Sequence, residues 1–353
     1  MAKEIKLLGL RSEIIDELSG PSRFEITSYP TDFSLSVLRD MYEAEDLVVP
    51  QTFQRRYVWS NRQASRLIES FLLGLPVPEI FLYREKASQK LLVIDGQQRL
   101  KSLYHFLSGT FEDGTEFRLR DIQPKWSGKT FSELSEPDRR KLETSPLRAI
   151  IVAQQHPKDN TSIYHVFERL NTGGTKLKNQ EIRNCLFRGP FSEMLKELNL
   201  NAEWRKILGS SDIDKRQRDI ELMLRFFALL YSSKSYYKPM KDFLSEFMDR
   251  QNQSSKKWLR GSRQVFLSTT SFIYSSLGAK PFHARRGGLN AAVFDAVYVA
   301  VGRKAPKRPS SSFERRYRSI LRNVEFVSFT SEATTDADTV RGRIALASRR
   351  LFT

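Results

Sequence analysis

The sequence has little of three features that would define whole classes of protein. Its single cysteine, Cys185, excludes an internal disulfide, and its place in a helical pattern predicts a small core residue. No apolar run approaches the length of a membrane-spanning helix. The amino terminus contains acidic residues and lacks the apolar core of a signal peptide. We therefore expect an untargeted, intracellular protein of the cytoplasm.

Several common catalytic signatures are also missing. The sequence contains no Walker A motif, no cysteines and histidines at the spacing of a zinc site, and no credible Ser or Cys triad. Histidine occurs only at His105, His156, His165 and His283. These absences argue against a P-loop enzyme, a zinc enzyme and a triad hydrolase.

Acidic residues are scarce relative to basic ones. The 58 Lys and Arg outnumber the 41 Asp and Glu, which gives a net charge of +17 and a pI near 9.9. This balance implies a polyanionic partner, and nucleic acid fits it better than a small neutral substrate. Residues 301–322 alone contain eight Lys or Arg and one Glu. This segment is either a solvated basic helix face or a contact for the DNA or RNA backbone. The candidates for DNA binding are Arg303, Lys304, Lys307, Arg308, Arg315 and Arg316.

The most informative stretch is residues 90–109, which read KLLVIDGQQRLKSLYHFLSG. Residues 91–94 form a short apolar run, the pattern of a strand buried on both faces. From Gln97 the apolar residues recur at helical spacing, and Gly109 stands where a C-cap glycine belongs. The pattern predicts a strand, a tight glycine turn and a helix.

The start of this helix is the candidate functional site. The first turn of a helix has unpaired NH groups and the positive end of the helix dipole, which together favour anions such as phosphate. Gly96 would let a ligand approach the backbone, and Arg99 adds a planar set of donors suited to phosphate oxygens. Asp95 could hold a divalent cation or orient a water. An Asp-Gly turn before a polar helical turn is also ordinary protein surface, so these residues alone do not decide the matter.

The loop at residues 54–59, with the sequence QRRYVW, gathers donors and aromatic rings. Such a loop can hold a nucleotide by stacking and phosphate contacts. A Tyr and a Trp packed in the core, with the arginines in solvent, would explain the same composition. Ser60 and Gln63 predict a capping box at the start of the following helix, which ends at Gly74.

Strand patterns at residues 80–83 and 91–94, separated by a polar turn, predict an antiparallel hairpin. This pairing would bring the 54–59 loop and the 95–99 turn into the same half of the fold. We also expect a helix from Thr31 and two weak strands around Phe117.

The character of the sequence changes near residue 190, from mixed patterns to helices with few strand signals. Residues 219–231 are apolar nearly all round, which indicates a buried helix. The predicted fold class is therefore α+β, a mixed sheet with helices followed by an all-helical domain. The predicted domains are an N-terminal extension at 1–30, a first domain at 31–190 and a helical domain with basic surface at 191–353.

Four separated segments agree in order and spacing with one known family. They are Pro50 with Gln54-Arg55 and Tyr57-Val58-Trp59, then Leu75-Pro76-Val77-Pro78, then Asp95 to Leu100, then Phe167 to Gly174 with Glu181 to Asn184. These segments resemble the N-terminal domain family of GmrSD-type restriction enzymes, within the ParB/sulfiredoxin superfamily. The resemblance is close over residues 35–190 and looser over the helical remainder. It implies a ParB/sulfiredoxin-like fold for residues 31–190.

The resemblance also implies a nucleotide site that binds and hydrolyses nucleoside triphosphates with Mg²⁺ or another divalent cation. Asp95, Gln98 and Arg99 would be catalytic, and Asp95 would hold the metal. Arg56 is a departure, since family members often have proline there, so the loop is expected to be less rigid and more basic. The residues implied in nucleotide binding are Arg55, Gly96, Gln97, Arg99, Asn171 and Gly173.

In this family a separate HNH-type domain cuts DNA, and that chemistry needs histidines around a metal-held water. Only His283 lies beyond the first predicted domain, and a lone histidine beside arginines does not make such a site. We therefore expect a member without an HNH nuclease domain. DNA, a possible partner nuclease and a possible second copy of the chain are the expected partners, and no membrane is expected.

The predicted function is that of a nucleoside-triphosphate-binding and hydrolysing component of a DNA restriction or anti-phage defence system. Two alternatives remain. The chain could be a DNA-binding specificity subunit that senses nucleotide without turnover, or a ParB-like domain that itself nicks DNA.

Overall fold

The structure is a computed structural model. It describes residues 7–8, 26–49, 57–85, 88–154, 161–170, 178–284, 288–306 and 311–353. Of the predicted site residues, Arg55, Asn171, Gly173, Lys307 and Arg308 lie outside these ranges.

Seven strands occur in the described residues. They are β1 (Leu7–Leu8), β2 (Ile26–Ser34), β3 (Leu47–Val48), β4 (Ile80–Arg84), β5 (Leu91–Asp95), β6 (Pro146–Gln154) and β7 (Leu289–Asn290).

Fifteen α-helices account for most of the remaining described residues. They are α1 (Leu35–Glu43), α2 (Asn61–Leu73), α3 (Gln97–Ser108), α4 (Glu136–Thr144), α5 (Thr161–Leu170), α6 (Asn179–Leu186), α7 (Pro190–Leu198), α8 (Ala202–Leu208), α9 (Arg218–Ser232), α10 (Met240–Asn252), α11 (Lys256–Leu277), α12 (Ala291–Lys304), α13 (Ser311–Ile320), α14 (Val324–Ser331) and α15 (Ala337–Phe352).

Contacts divide the chain into two compact units. One comprises residues 23–176, and the other comprises 177–353 together with 1–22. The predicted domain limits were 30 and 190, so the second division comes earlier in the chain. Helix α6 explains the difference, because its buried Arg183 donates to Ser245 and Glu221 of the C-terminal unit.

The unit at 23–176 is built on a five-stranded mixed sheet in the order β2-β6-β4-β5-β3. The predicted hairpin is confirmed, since β4 and β5 pair antiparallel with an irregularity between Phe81 and Leu82. Strand β4 also pairs parallel to β6, which arrives much later in the chain. The predicted fold class, a mixed sheet with helices followed by a helical part, is confirmed.

Two local predictions in this unit are wrong. The helix predicted from Thr31 begins at Leu35, because residues 26–34 form the edge strand β2 against β6. Ser34 caps the helix by accepting a hydrogen bond from the NH of Val37. Around Phe117 a single bridge between Thr110 and Glu116 stands where two strands were predicted. Phe117 is nonetheless fully buried, stacked on Phe111 with ring centroids 4.3 Å apart.

Helices α9 and α12 lie in the core of the C-terminal unit and are buried along most of their lengths. The prediction of a buried helix at 219–231 is confirmed, and Cys185 is buried and unpaired as expected. A short parallel pair, β1 with β7, lies in this otherwise helical unit. Among the described helices, none combines the length and the apolar character that crossing a bilayer requires.

Buried ion pairs join the helices of this unit. Asp295 on α12 is fully buried and accepts from Arg225 on α9, at 2.7 Å, and from Arg343 on α15, at 2.9 Å. Both arginines are themselves buried. The carboxylate therefore stabilises two cations that cannot reach water.

We predict that Asp295→Asn lowers the free energy of unfolding by about 3 kcal/mol or more, because it leaves two buried arginines without a counter-charge. The measurement is urea unfolding of the full chain. Asp338→Asn is the control, because that carboxylate lies on the same helical unit but its side chain is fully exposed. Similar losses for the two variants would contradict the prediction.

Candidate functional site

The predicted strand, glycine turn and helix are confirmed. Strand β5 ends at Asp95, Gly96 has φ +93°, and α3 begins at Gln97. Leu100 donates its NH to the carbonyl of Gly96, which closes the first helical turn. Gly109 caps the other end with φ +86°. The turn therefore presents the amino-terminal end of a twelve-residue helix at the end of a sheet strand.

Gly96 is required by the fold itself. A Cβ atom at this position would lie 2.3 Å from Cγ2 of Ile80, at the start of the neighbouring strand β4. The positive φ disfavours other residues independently of this overlap. The predicted role of Gly96, close approach of a ligand, stays a prediction, since packing against Ile80 already explains the glycine.

Two oxygen atoms hold the side chain of Arg99 beside the Asp95-Gly96 turn. Its Nη2 donates to Oδ2 of Asp95 at 3.0 Å and to the backbone carbonyl of Glu79 at 3.0 Å. The side chain is only 18% exposed. Its Nε is buried and has no hydrogen-bond partner among the described residues. A guanidinium with a buried, unused donor is suited to an anion, because an unsatisfied buried donor costs free energy.

Gln98 fastens the loop that precedes α2. Its Oε1 accepts from the backbone NH of Val58, at 3.0 Å, and of Trp59, at 3.3 Å. The prediction that this loop and the 95–99 turn lie together is thus confirmed for residues 57–59. The side-chain oxygen of Gln98 is engaged in holding the loop. The predicted catalytic role of Gln98 stays a prediction.

Tyr57 adds a second link between the loop and α3, which the sequence analysis missed. Its hydroxyl lies 3.0 Å from Oγ of Ser102, which donates to the carbonyl of Gln98 at 2.7 Å. The ring of Tyr57 packs edge-on against His105, with centroids 5.1 Å apart. Burial raises the pKa of Tyr57 and lowers that of His105, so both are neutral near pH 7. The spacing of Gln98, Ser102 and His105 on one helix face was the available signal.

A cavity of about 350 Å³ lies beside Arg99 and shares Glu79 with it. Asp32 and Arg148 form one wall, joined by two hydrogen bonds of 2.9 and 3.0 Å. Phe71 and the residues from Gly74 to Val77 form another. The sequence analysis did not include Asp32, Glu79 or Arg148 in the site.

A metal ion held by protein groups alone does not fit this site. The described residues contain no cluster of three or more His, Cys, Asp or Glu that could ligate a metal. Asp95 is a single carboxylate, and one of its oxygens already pairs with Arg99. A Mg²⁺ ion bound with a nucleotide needs only one or two carboxylates, because phosphates and waters complete its shell. Asp95 therefore fits a nucleotide-bound metal.

Among the predicted DNA-binding residues that the structure describes, Arg303 and Arg316 lie apart. Arg303 donates to the carbonyl of Leu229 and to Ser233, and burial lowers its pKa. Three residues after Ser233, the hydroxyl of Tyr236 donates to the carbonyl of Thr335, just before α15, at 2.6 Å. Arg303 therefore lies near the start of α15.

Arg316 lies at the other end of α15, where its Nη1 donates to the carbonyl of Leu351 at 3.3 Å. Helix α15 has 16 residues and is about 24 Å long. Arg303 and Arg316 are therefore at opposite ends of this helix. Lys304 and Arg315 are exposed. Gln97, which was predicted to bind nucleotide, is buried.

We predict that Gly96→Ala lowers the free energy of unfolding by about 2 to 4 kcal/mol, from the strained φ and the overlap with Ile80. Gly109→Ala is the matched control, since its φ is also positive but nothing lies within 4 Å of the added Cβ. It should cost only about 1 kcal/mol. Chemical unfolding of both variants measures the difference, and equal losses would contradict the packing role of Ile80.

Residues 36–188 match the sequence model of a family described as GmrSD restriction endonuclease, N-terminal domain. None of the curated proteins matched the chain.

Solved structures of a pNOB8-like ParB N-domain are similar to the chain at low identity. One has 12% identity, covering 93% of this chain and 99% of that one, with a TM-score of 0.23. Another crystal form has 9% identity, covering 93% and 100%, with the same TM-score. At these scores the likeness carries no argument about function. The family match is limited to residues 36–188, which are similar to the N-terminal domain of GmrSD restriction endonucleases.

Proposed function

We propose that the chain is a component of a DNA restriction or anti-phage defence system whose GmrSD-type domain binds and hydrolyses a nucleoside triphosphate. The observation that carries this proposal is the guanidinium of Arg99. It lies at the amino-terminal end of α3, fixed by Asp95 and the carbonyl of Glu79, with a buried Nε that has no partner in the described part of the chain. Helix start and guanidinium together favour phosphate.

The cavity next to Arg99 supports a nucleotide rather than free phosphate. Its volume of about 350 Å³ lies within the range of small-molecule sites. Glu79 lines the cavity, and its backbone carbonyl accepts from Arg99, so one residue connects the two parts of the proposed site. On this proposal the phosphates lie at α3 and the nucleoside lies in the cavity, near the carboxylates of Asp32 and Glu79.

The residues then take separate roles in hydrolysis. Arg99 binds the phosphates and stabilises charge as the terminal bond breaks. Asp95 accepts a proton from the attacking water, whose oxygen bonds to the γ-phosphorus while the bond to the bridging oxygen breaks, giving nucleoside diphosphate and inorganic phosphate. Gln98 keeps the 57–59 loop on α3. Arg55, Asn171 and Gly173 remain candidates for further contacts with the nucleotide.

A divalent cation, held by Asp95 together with the nucleotide, would neutralise phosphate charge. The charge of the C-terminal unit supports DNA as the polymer on which the protein acts or which it senses. A partner nuclease would supply cleavage, because no metal cluster occurs in the described residues.

One observation favours a second candidate, a subunit that senses nucleotide without turnover. Asp95 is paired with Arg99, so its carboxylate is engaged by a cation rather than held ready for water. Such a site would bind a nucleotide and change the contacts of Arg99, with no bond broken. Measurable nucleotide affinity without phosphate release distinguishes this candidate from the first.

The test is phosphate release from each of the four common nucleoside triphosphates with Mg²⁺, with and without duplex DNA. We expect Arg99→Ala to reduce the rate by about 10² to 10³, the cost of removing a charge-stabilising donor. Arg140→Ala is the control, because Arg140 also pairs with an acid four residues away but is 75% exposed on α4.

Three outcomes separate the candidates. Release that Arg99→Ala removes and Arg140→Ala preserves supports the hydrolase. Binding of a fluorescent nucleotide with no release by the wild type supports the sensor. Nicking of a supercoiled plasmid by the purified chain, abolished in Asp95→Ala, would instead support the third possibility, a DNA nickase.

A further inference from the structure

The positive charge of the chain is concentrated in its C-terminal part. Residues 177–353 contain 33 Lys and Arg against 17 Asp and Glu, a net charge of +16. Residues 23–176 contain 22 against 20, a net charge of +2. A surface for a polyanion is therefore expected on the C-terminal unit rather than on the unit that carries the nucleotide site.

Exposed arginines gather where α13 meets the end of α15. We call this set the arginine face. It comprises Arg315 and Arg318 on α13, Arg322 in the turn after it, and Arg349 and Arg350 in the last turn of α15.

Packing between the two helices holds the arginine face in place. Phe313 on α13 lies against Phe352 on α15, with ring centroids 5.7 Å apart. Arg316 points inward and donates to the carbonyl of Leu351 at 3.3 Å. Arg315 and Arg318 lie three residues apart on α13, so their side chains project from the same side of that helix.

The charge of the arginine face is poorly offset. Glu314 pairs with Arg318, and among the described residues no ion pair joins the other four arginines to an acid. From residue 339 to the end of the chain the sequence contains no Asp or Glu. The end of α15 gains a little from cations near its dipole, but that effect is confined to the last turn and does not account for Arg315 or Arg322.

We infer that the arginine face binds the phosphate backbone of double-stranded DNA. Guanidinium groups are suited to phosphate oxygens, and an uncompensated row of them on a helix is the footprint of backbone contact. Single strands are usually gripped by exposed aromatic rings. Phe313 and Tyr317 are buried, and the half-buried ring of Phe352 packs on Phe313, which favours the duplex.

This inference rests on the proposed function and names a surface for its DNA partner, which includes Arg315 of the predicted set. Arg303 is tied to Leu229 and Ser233, at the opposite end of α15. DNA binding at Arg303 and DNA binding at the arginine face can therefore be tested with separate variants.

The experiment measures the affinity of the full chain for a short duplex of random sequence over a range of salt concentrations, without nucleotide. The test variant is Arg315→Gln with Arg322→Gln and Arg350→Gln. The control variant is Lys234→Gln with Lys256→Gln and Lys257→Gln, exposed lysines with the same total charge. Thermal melting of both variants should match the wild type, since all six side chains are at the surface.

We expect the slope of log K against log salt to fall by about 2 to 3 in the test variant, about 0.9 for each phosphate that the protein no longer neutralises. The control variant should change it by less than about one. Equal changes in the two variants would overturn the inference, because net charge alone would then account for binding. Preference of the wild type for single-stranded RNA would overturn it as well.

The test also separates the inference from the proposed function. Because no nucleotide is present, absence of phosphate release has no bearing on the result. If the wild type does not bind the duplex at any salt concentration, the DNA part of the proposed function fails together with the inference.

Discussion

The contact between Gly96 and Ile80 is the constraint on which the candidate site depends. Strands β4 and β5 approach so closely at this point that a Cβ on Gly96 would overlap Ile80. That approach starts α3 beside the first residue of β4 and brings Arg99 within hydrogen-bond distance of the Glu79 carbonyl. The same helix start places Oε1 of Gln98 within hydrogen-bond distance of the backbone NH groups of Val58 and Trp59. Packing of two strands thus sets the geometry of the polar groups.

Local parts of the site were predictable, because their signals lie within a few residues of one another. The apolar run at 91–94, Gly96 and the helical period from Gln97 predicted β5, the turn and α3, and the structure confirms them. The capping box of Ser60 and Gln63 is confirmed in the same way. Each depends on backbone propensity and side-chain spacing over one or two turns, which the sequence displays directly.

The cavity wall formed by Asp32 and Arg148 could not be predicted, because it depends on pairing between distant segments. Arg148 precedes the residue of β6 that pairs with Ile80 of β4, in parallel register. Parallel partners carry no hairpin signal, and more than sixty residues separate these two strands. Asp32 joins through β2, whose last four residues, 31–34, were predicted as the start of a helix. Long-range packing also places Arg303 and Arg316, which are close in the chain, at opposite ends of α15.

The ion pair between Asp95 and Arg99 connects the two halves of the proposed site. Without a ligand, each charge is satisfied by the other, so the site needs no bound ion to be stable. A phosphate that takes the guanidinium competes with the carboxylate, and this lowers the net gain from binding. Once Arg99 turns to the phosphate, however, Asp95 is released from its ion pair and becomes available to a cation or a water. On the proposed function, phosphate binding and the release of the Asp95 carboxylate from Arg99 are therefore one event.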